Sequence, residues 1–110
     1  MILTVGDAGE VKIVRIEGEL DTQTSPDAEA QLTKLIDAGA RKVVVNFERL
    51  DYISSAGLYI LLATAKQLQL GGGELRVCSL SGLVQEVFDI SGFDSIVSVS
   101  KNEAKALKGF

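Results

Sequence analysis

The sequence predicts an α/β fold: a mostly parallel sheet of about four to five strands, with an antiparallel N-terminal edge strand and about four helices. Two β-rich runs open the chain, and short apolar runs then alternate with helical patterns. The chain has 110 residues, of which 46% are hydrophobic, enough to bury the core of one ordinary domain. No linker or internal repeat interrupts it, so we expect a single domain over residues 1–110.

The first two predicted elements are strands. Ile2 to Val5 and Val11 to Ile16 are rich in β-branched residues. Gly6-Asp7-Ala8-Gly9 lies between them and consists largely of residues that favour tight turns. Because strands joined by a short turn run antiparallel, these two runs predict a hairpin, with the first strand at the edge of the sheet.

A helix and a central strand follow. Ser25 can cap this helix, and Pro26 suits its first position. Gly39 ends the helix, and the short continuous apolar run Val43 to Phe47 is typical of a strand that is covered on both faces. The buried stripe of the helix is predicted to comprise Ala28, Leu32, Leu35 and Ile36.

The second half of the chain continues this alternation. A loop from Glu48 to Ser55 leads into a strongly apolar helix from about Ala56 to Leu70, which three consecutive glycines end. Because strands that are joined through helices pair in parallel, a largely parallel sheet is expected. The remaining predicted elements are a strand from Glu74 to Cys78, a helix from Ser81 to Ile90 with Leu83, Val84, Val87 and Phe88 on its inner side, a strand from Ile96 to Val99, and a helix from Lys101 to Lys108 anchored by Ala104 and Leu107.

The composition favours an interaction module over an enzyme. Histidine is absent, which removes the commonest general base and the commonest zinc ligand. Cys78 is the only cysteine, so one chain can form neither a disulfide nor a cysteine cluster, and its place on a strand indicates a core residue. The net charge of −4 disfavours nucleic-acid binding. We therefore predict no catalytic residue, no metal, no cofactor and no nucleic-acid partner.

The sequence also predicts a cytoplasmic location. The longest nearly apolar stretch, Leu58 to Ala65, is far shorter than the roughly 18 residues that span a bilayer, so direct membrane insertion is not expected. The N-terminal residues lack the basic leader and cleavage site of a signal peptide.

Two serines, Ser54 and Ser55, lie where the polar loop enters the apolar helix. A helix start leaves backbone N–H groups without internal partners, and serine is a favoured cap there, so the local pattern by itself favours a capping role. The same N–H groups and the helix dipole also stabilise an anion. A phosphate on either serine would therefore change the surface without breaking the helix.

Three motifs follow one another along the chain: Gly18-Glu19-Leu20-Asp21 with Thr24, the strand Val43 to Phe47, and Tyr52-Ile53-Ser54-Ser55-Ala56-Gly57-Leu58. Together with Gly72 to Leu75 and Val87 to Phe93, they resemble the STAS domain family over nearly the whole chain. This family is shared by bacterial anti-sigma factor antagonists and the cytoplasmic tails of sulfate transporters. The resemblance implies a STAS-type fold.

The resemblance also implies a partner-switching role in transcription regulation. An unphosphorylated antagonist binds an anti-sigma factor that is also a serine kinase and thereby frees a sigma factor. The kinase then phosphorylates the antagonist, which dissociates, and a serine phosphatase resets the cycle. By position, the family's acceptor corresponds to Ser55, with Ser54 as the alternative. The implied partner-binding residues are Asp21, Thr24, Ser54, Ser55, Gly57 and Leu58.

Two residues beside the acceptor depart from the family's pattern. Ser54 replaces the usual aspartate, and Ala56 replaces the usual serine or threonine. A second hypothesis therefore stays open, in which the chain is a non-phosphorylated scaffold or an accessory subunit of a membrane-transport complex. Nucleotide binding or hydrolysis by the domain alone is a third and weaker hypothesis. Asp21 and Thr24 could equally serve the fold, as a turn former and a helix cap.

Overall fold

The computed structural model describes residues 1–110 and contains four helices and a six-stranded sheet. The strands are β1 (Ile2–Ala8), β2 (Val11–Leu20), β3 (Lys42–Asn46), β4 (Leu50–Ile53), β5 (Glu74–Cys78) and β6 (Ser98–Ser100). The helices are α1 (Ser25–Asp37), α2 (Ser55–Leu70), α3 (Gly82–Ser91) and α4 (Glu103–Leu107), and a 3₁₀ turn, Phe93–Ser95, follows α3. The predicted α/β class is confirmed. No helix is both long enough and apolar enough to span a membrane.

The sheet has the order β1-β2-β3-β5-β6, and β1 alone is antiparallel. The predicted hairpin is confirmed, but its turn is only Gly9-Glu10, because the β1–β2 pairing continues through Asp7 and Ala8. Asp7 also forms an ion pair with Lys12, its partner in the register. Gly9 has a φ of 62°, a conformation that glycine adopts without steric cost.

Strand β4 corrects the predicted loop from Glu48 to Ser55. β2 is ten residues long, and its first half pairs with β3 while its last residues, Gly18 to Leu20, pair with β4. The register shifts between Gly18 and Glu19, and Gly18 has a φ of 90°. This bulge turns the end of β2 away from β3, so that the residues before α2 form a short parallel strand beside it.

The two faces of the sheet are covered unequally. Helices α1, α2 and α3 pack on one face over a cluster of 22 buried residues, whereas the other face has a cluster of five: Val11, Ile13, Val44, Cys78 and Ala106. Cys78 is fully buried in the smaller cluster, which confirms its prediction as a core residue. The helices that carry the candidate site therefore lie on the thickly packed face.

Four details of the elements were predicted wrongly. Ser25 is the first residue of α1 and Thr24 is its cap, because the chain already turns at Asp21. Leu83 is half exposed, since only Val84 and Phe88 of α3 reach the core fully. Strand β6 starts at Ser98, after the 3₁₀ turn, rather than at Ile96. Helix α4 spans only five residues. Of its two predicted anchors, Leu107 packs against the small cluster as expected, but Ala104 is exposed and Ala106 is buried in its place.

Candidate functional site

The start of α2 lies directly beside the end of β2. The Ser54 backbone N–H donates to the Leu20 carbonyl at 2.9 Å, and Leu20 pairs with Ile53 in the parallel ladder. Gly57 is buried at this contact, and a Cβ there would lie 2.8 Å from both the Leu20 carbonyl oxygen and Ile53 Cγ1. Gly57 is therefore needed for the close approach that brings the start of α2, with its two serines, beside the end of β2.

Ser54 and Ser55 have different environments. Ser54 has an extended backbone (φ −95°, ψ 175°) and is the cap of α2, and its Oγ accepts from the Gly57 N–H at 3.3 Å. Ser55 is the first residue of the helix, its side chain is exposed, and its hydroxyl has no hydrogen-bond partner in the chain. The capping role that the sequence favours thus belongs to Ser54, and Ser55 is free.

The electrostatic setting of Ser55 suits an added anion. As the first two residues of α2, Ser55 and Ala56 have backbone N–H groups without acceptors inside the helix. No acidic residue lies in the first turn of α2, so the helix itself contributes no negative charge that offsets the positive end of its dipole. A phosphate on the Ser55 hydroxyl would be stabilised by both.

Asp21 and Thr24 form a reciprocal pair at the start of α1. Asp21 Oδ1 accepts from the backbone N–H groups of Thr24 at 3.0 Å and Gln23 at 2.9 Å. Thr24 Oγ1 accepts from the Asp21 N–H and donates to the Glu19 carbonyl, both at 2.9 Å. The Thr24 N–H is the main cause that holds the pKa of the Asp21 carboxyl below its usual range. Asp21 thus has the turn-forming role that the sequence leaves open. Thr24 occupies the cap position of α1, but its hydroxyl binds residues 19 and 21 instead of the helix.

Leu58 is half-buried and packs against the main core, and its accessible part lies next to Ser54 and Ser55 in the first turn of α2. Two tyrosines that the predicted site omits are more exposed: Tyr59 by 67% and Tyr52 by 39%. An exposed aromatic side chain next to a candidate site is typical of protein interfaces. In the sequence Tyr59 lies within the apolar run 58–63, but its exposure depends on how α2 packs.

The site is an open surface. None of the five cavities of the molecule is lined by Asp21, Ser54 or Ser55. Small-molecule sites are usually concave and partly enclosed. The shape of this surface therefore suits a macromolecular partner better than a small ligand.

The comparison with protein families agrees with this architecture. Residues 4–106 match the model of the STAS domain. The chain belongs to the STAS domain family. The resemblance that its motifs carry is confirmed, and the match covers every strand from β2 onwards and every helix except the last residue of α4.

Several similar proteins of this family are named as anti-sigma factor antagonists. BtrV of Bordetella bronchiseptica, named as a candidate anti-sigma factor antagonist, is 42% identical over 110 residues, which cover all of this chain and 95% of the relative. The anti-sigma-B factor antagonist of Staphylococcus aureus is 33% identical over 88 residues, covering 80% of this chain and 82% of that protein. The Bacillus cell fate determinant SpoIIAA, solved in its phosphorylated form, superposes with a TM-score of 0.74 at 25% identity, with 96% of each chain covered.

Proposed function

We propose that this chain is a cytoplasmic anti-sigma factor antagonist whose activity is switched off by phosphorylation of Ser55. In this proposal it acts as a binding partner and not as an enzyme. The unmodified domain binds an anti-sigma factor that is also a serine kinase, and a sigma factor is released to RNA polymerase. A serine phosphatase restores the unmodified form. The observation that carries the proposal is the exposed, unpartnered Ser55 hydroxyl beside a Ser54 that already caps the helix.

The proposed transfer requires little of this chain beyond an accessible hydroxyl. Ser55 Oγ attacks the γ-phosphorus of ATP, the new P–O bond forms, and the bond to the departing ADP breaks. The hydroxyl proton passes to a base on the kinase, as in other protein kinases. Ser54 is the poorer acceptor because its Oγ is held at the Gly57 N–H and because the residue is partly buried.

The proposed effect of phosphorylation is local. The phosphate adds a charge of about −1.5 to −2 at the start of α2. The helix itself tolerates that charge because its free N–H groups and its dipole stabilise an anion at this end. A partner surface that had packed against Leu58 and Tyr59 would have to desolvate the phosphate, so the complex weakens while the domain stays folded.

The proposed partner surface extends over both helix starts. It comprises Asp21, Thr24, Ser54, Ser55, Gly57 and Leu58, to which we add Tyr52 and Tyr59. Gly57 is buried and contributes by holding α2 against β2, whereas the tyrosines offer contact area. Relatives named as antagonists of anti-sigma factors, and the phosphorylated form of SpoIIAA, support this partner class and this modification.

The test is a binding titration with the anti-sigma factor kinase of the same organism. Unmodified chain and Ser55→Ala should bind alike and displace the sigma factor, because neither carries a charge at residue 55. Ser55→Asp should bind at least about tenfold more weakly, which corresponds to roughly 1.4 kcal/mol, although aspartate has less charge than a phosphate. A Ser55→Asp variant that is folded and binds as tightly as wild type would contradict the switch and favour the constitutive scaffold of a transport complex, which the departures at Ser54 and Ala56 keep open.

A further inference from the structure

The thinly covered face of the sheet is closed by the last eight residues of the chain, 103–110. Within this segment only Ala106 is fully buried, and Leu107 and Phe110 are partly buried against the small cluster. Beneath them lie the side chains of Val11, Ile13, Val44 and Cys78. Apolar burial therefore contributes little to holding this segment, compared with the 22-residue cluster on the other face.

Arg76 of β5 holds the end of the segment by polar contacts. Its Nη1 donates to the carbonyls of Ala106 and Lys108, both at 2.9 Å, and its Nη2 donates to the carbonyl of Gly109 at 3.4 Å. The guanidinium carbon lies 4.0 Å from the centre of the Phe110 ring. The Arg76 side chain is 15% exposed, so these contacts are partly shielded from water.

Glu103 holds the start of the segment. Its Oε1 accepts from Asn46 Nδ2 at 2.8 Å and lies 2.8 Å from Arg15 Nη2. Asn46 is buried at the end of β3, and its Oδ1 accepts from the Glu48 N–H at 2.7 Å. Both ends of the segment are thus fastened by charged or amide groups that water can solvate when the contacts break.

We propose that residues 103–110, here called the strap, detach as a unit from an otherwise folded domain and thereby expose the Cys78 thiol. Segments with few buried apolar contacts open well below the free energy of global unfolding. In the closed form Cys78 is fully buried, so a reagent in solution does not reach its thiol. Burial also raises the pKa of the thiol, which lowers its reactivity further. This inference concerns the face of the sheet opposite α2 and does not depend on the proposed function.

The test is the rate at which an aromatic disulfide reagent, dithionitrobenzoate, labels the full chain. The Cys78 thiolate attacks the reagent's disulfide, a mixed disulfide forms, and a coloured thiolate leaves. In wild type at low urea, the labelling rate should be at least tenfold higher than if Cys78 reacted only in the globally unfolded chain. It should also change little with urea concentration, because detachment of the strap exposes little surface. Arg76→Ala should label at least tenfold faster still. The matched control Arg49→Ala, which removes a 74% exposed arginine with one 3.8 Å ion pair, should label within about twofold of wild type.

Labelling that follows the full urea dependence of global unfolding, starting from zero urea, would overturn the strap. The proposal would also be overturned if the increase in labelling rate of Arg76→Ala were no larger than the increase in the globally unfolded fraction, calculated from the variant's free energy of unfolding. If Arg76→Ala does not fold, Glu103→Ala replaces it, with the same direction of change expected. Hydrogen exchange of wild type provides a second readout: amides of 103–110 should exchange faster than those of β3 and β5, and equal exchange of all three would also overturn the proposal.

Discussion

Helices α1 and α2 both begin close to the end of β2, yet their first residues are arranged differently. At the start of α1, Asp21 and Thr24 bind each other's backbone N–H groups, and the serine that follows, Ser25, is buried. At the start of α2, Ser54 caps the helix alone and the next serine, Ser55, is exposed.

The difference shows that residue type alone does not assign a role at a helix start. Ser54 caps its helix, Ser25 is buried without a hydrogen-bond partner, and Ser55 presents a free hydroxyl at the surface. A single step along the chain separates the cap from the candidate acceptor. Of these two helix starts, only that of α2 leaves both an exposed hydroxyl and open N–H groups for a modification.

The largest stability effect should come from Gly57→Ala, which forces α2 away from β2. Alanine is the better helix former by up to about 1 kcal/mol, so propensity alone would stabilise the domain. The new Cβ, however, meets the Leu20 carbonyl at 2.8 Å, and we expect a net loss of about 2 kcal/mol in urea unfolding. A gain in stability would show that this contact does not hold the start of α2 against the end of β2.

Ser54→Ala should lower the free energy of unfolding by about 1 kcal/mol, because it removes the cap of α2. The matched control is Ser55→Ala, which should stay within about 0.5 kcal/mol of wild type since that hydroxyl has no partner. Equal losses in the two variants, measured by the same urea titration, would remove the distinction between the serines.

Ser25→Ala should leave stability unchanged or raise it by up to about 1 kcal/mol. The Ser25 Oγ is buried without a hydrogen-bond partner, so its removal relieves a desolvation cost. The same substitution at Ser54 is expected to have the opposite sign. A loss at Ser25 comparable to that at Ser54 would mean that α1 depends on this hydroxyl after all.

The smallest expected effect is the loss, at acid pH, of the contribution that the Asp21 carboxylate makes to the stability of the fold. The folded-state pKa of Asp21 is lowered, so its carboxylate stabilises the fold above the unfolded-state pKa near 3.9, and this contribution is lost as pH falls through the folded-state value. Asp21→Asn should therefore be less stable than wild type at pH 7, with a difference that shrinks below about pH 4. Urea midpoints at both pH values check this, and a difference that does not change with pH would contradict it.

Much of the fold can be predicted from the sequence because it depends on local patterns. The continuous apolar strand Val43 to Phe47 and the glycine stop after Leu70 have signals within a few residues. Strand β4 could not be predicted in this way. It exists because the bulge at Gly18 redirects the end of β2 towards Leu50 to Ile53, and that pairing joins segments about thirty residues apart in the sequence.

The candidate site was predictable in part for the same reason. The motif around Ser54 and Ser55 marks a helix start in the sequence, and the family resemblance points to the second serine. Which hydroxyl caps the helix depends on where the backbone turns helical, a matter of one residue. The exposure of Tyr59 depends on the packing of α2 and has no local signal.

The most direct test of the account is phosphorylation of Ser54→Ala and Ser55→Ala side by side. Each folded variant is incubated with the anti-sigma factor kinase and ATP, and the phosphate is counted by intact mass and located by peptide fragmentation. The account predicts one phosphate, at Ser55, in wild type and in Ser54→Ala, and none in Ser55→Ala. Normal phosphate incorporation in Ser55→Ala, with the phosphate on Ser54, would contradict it.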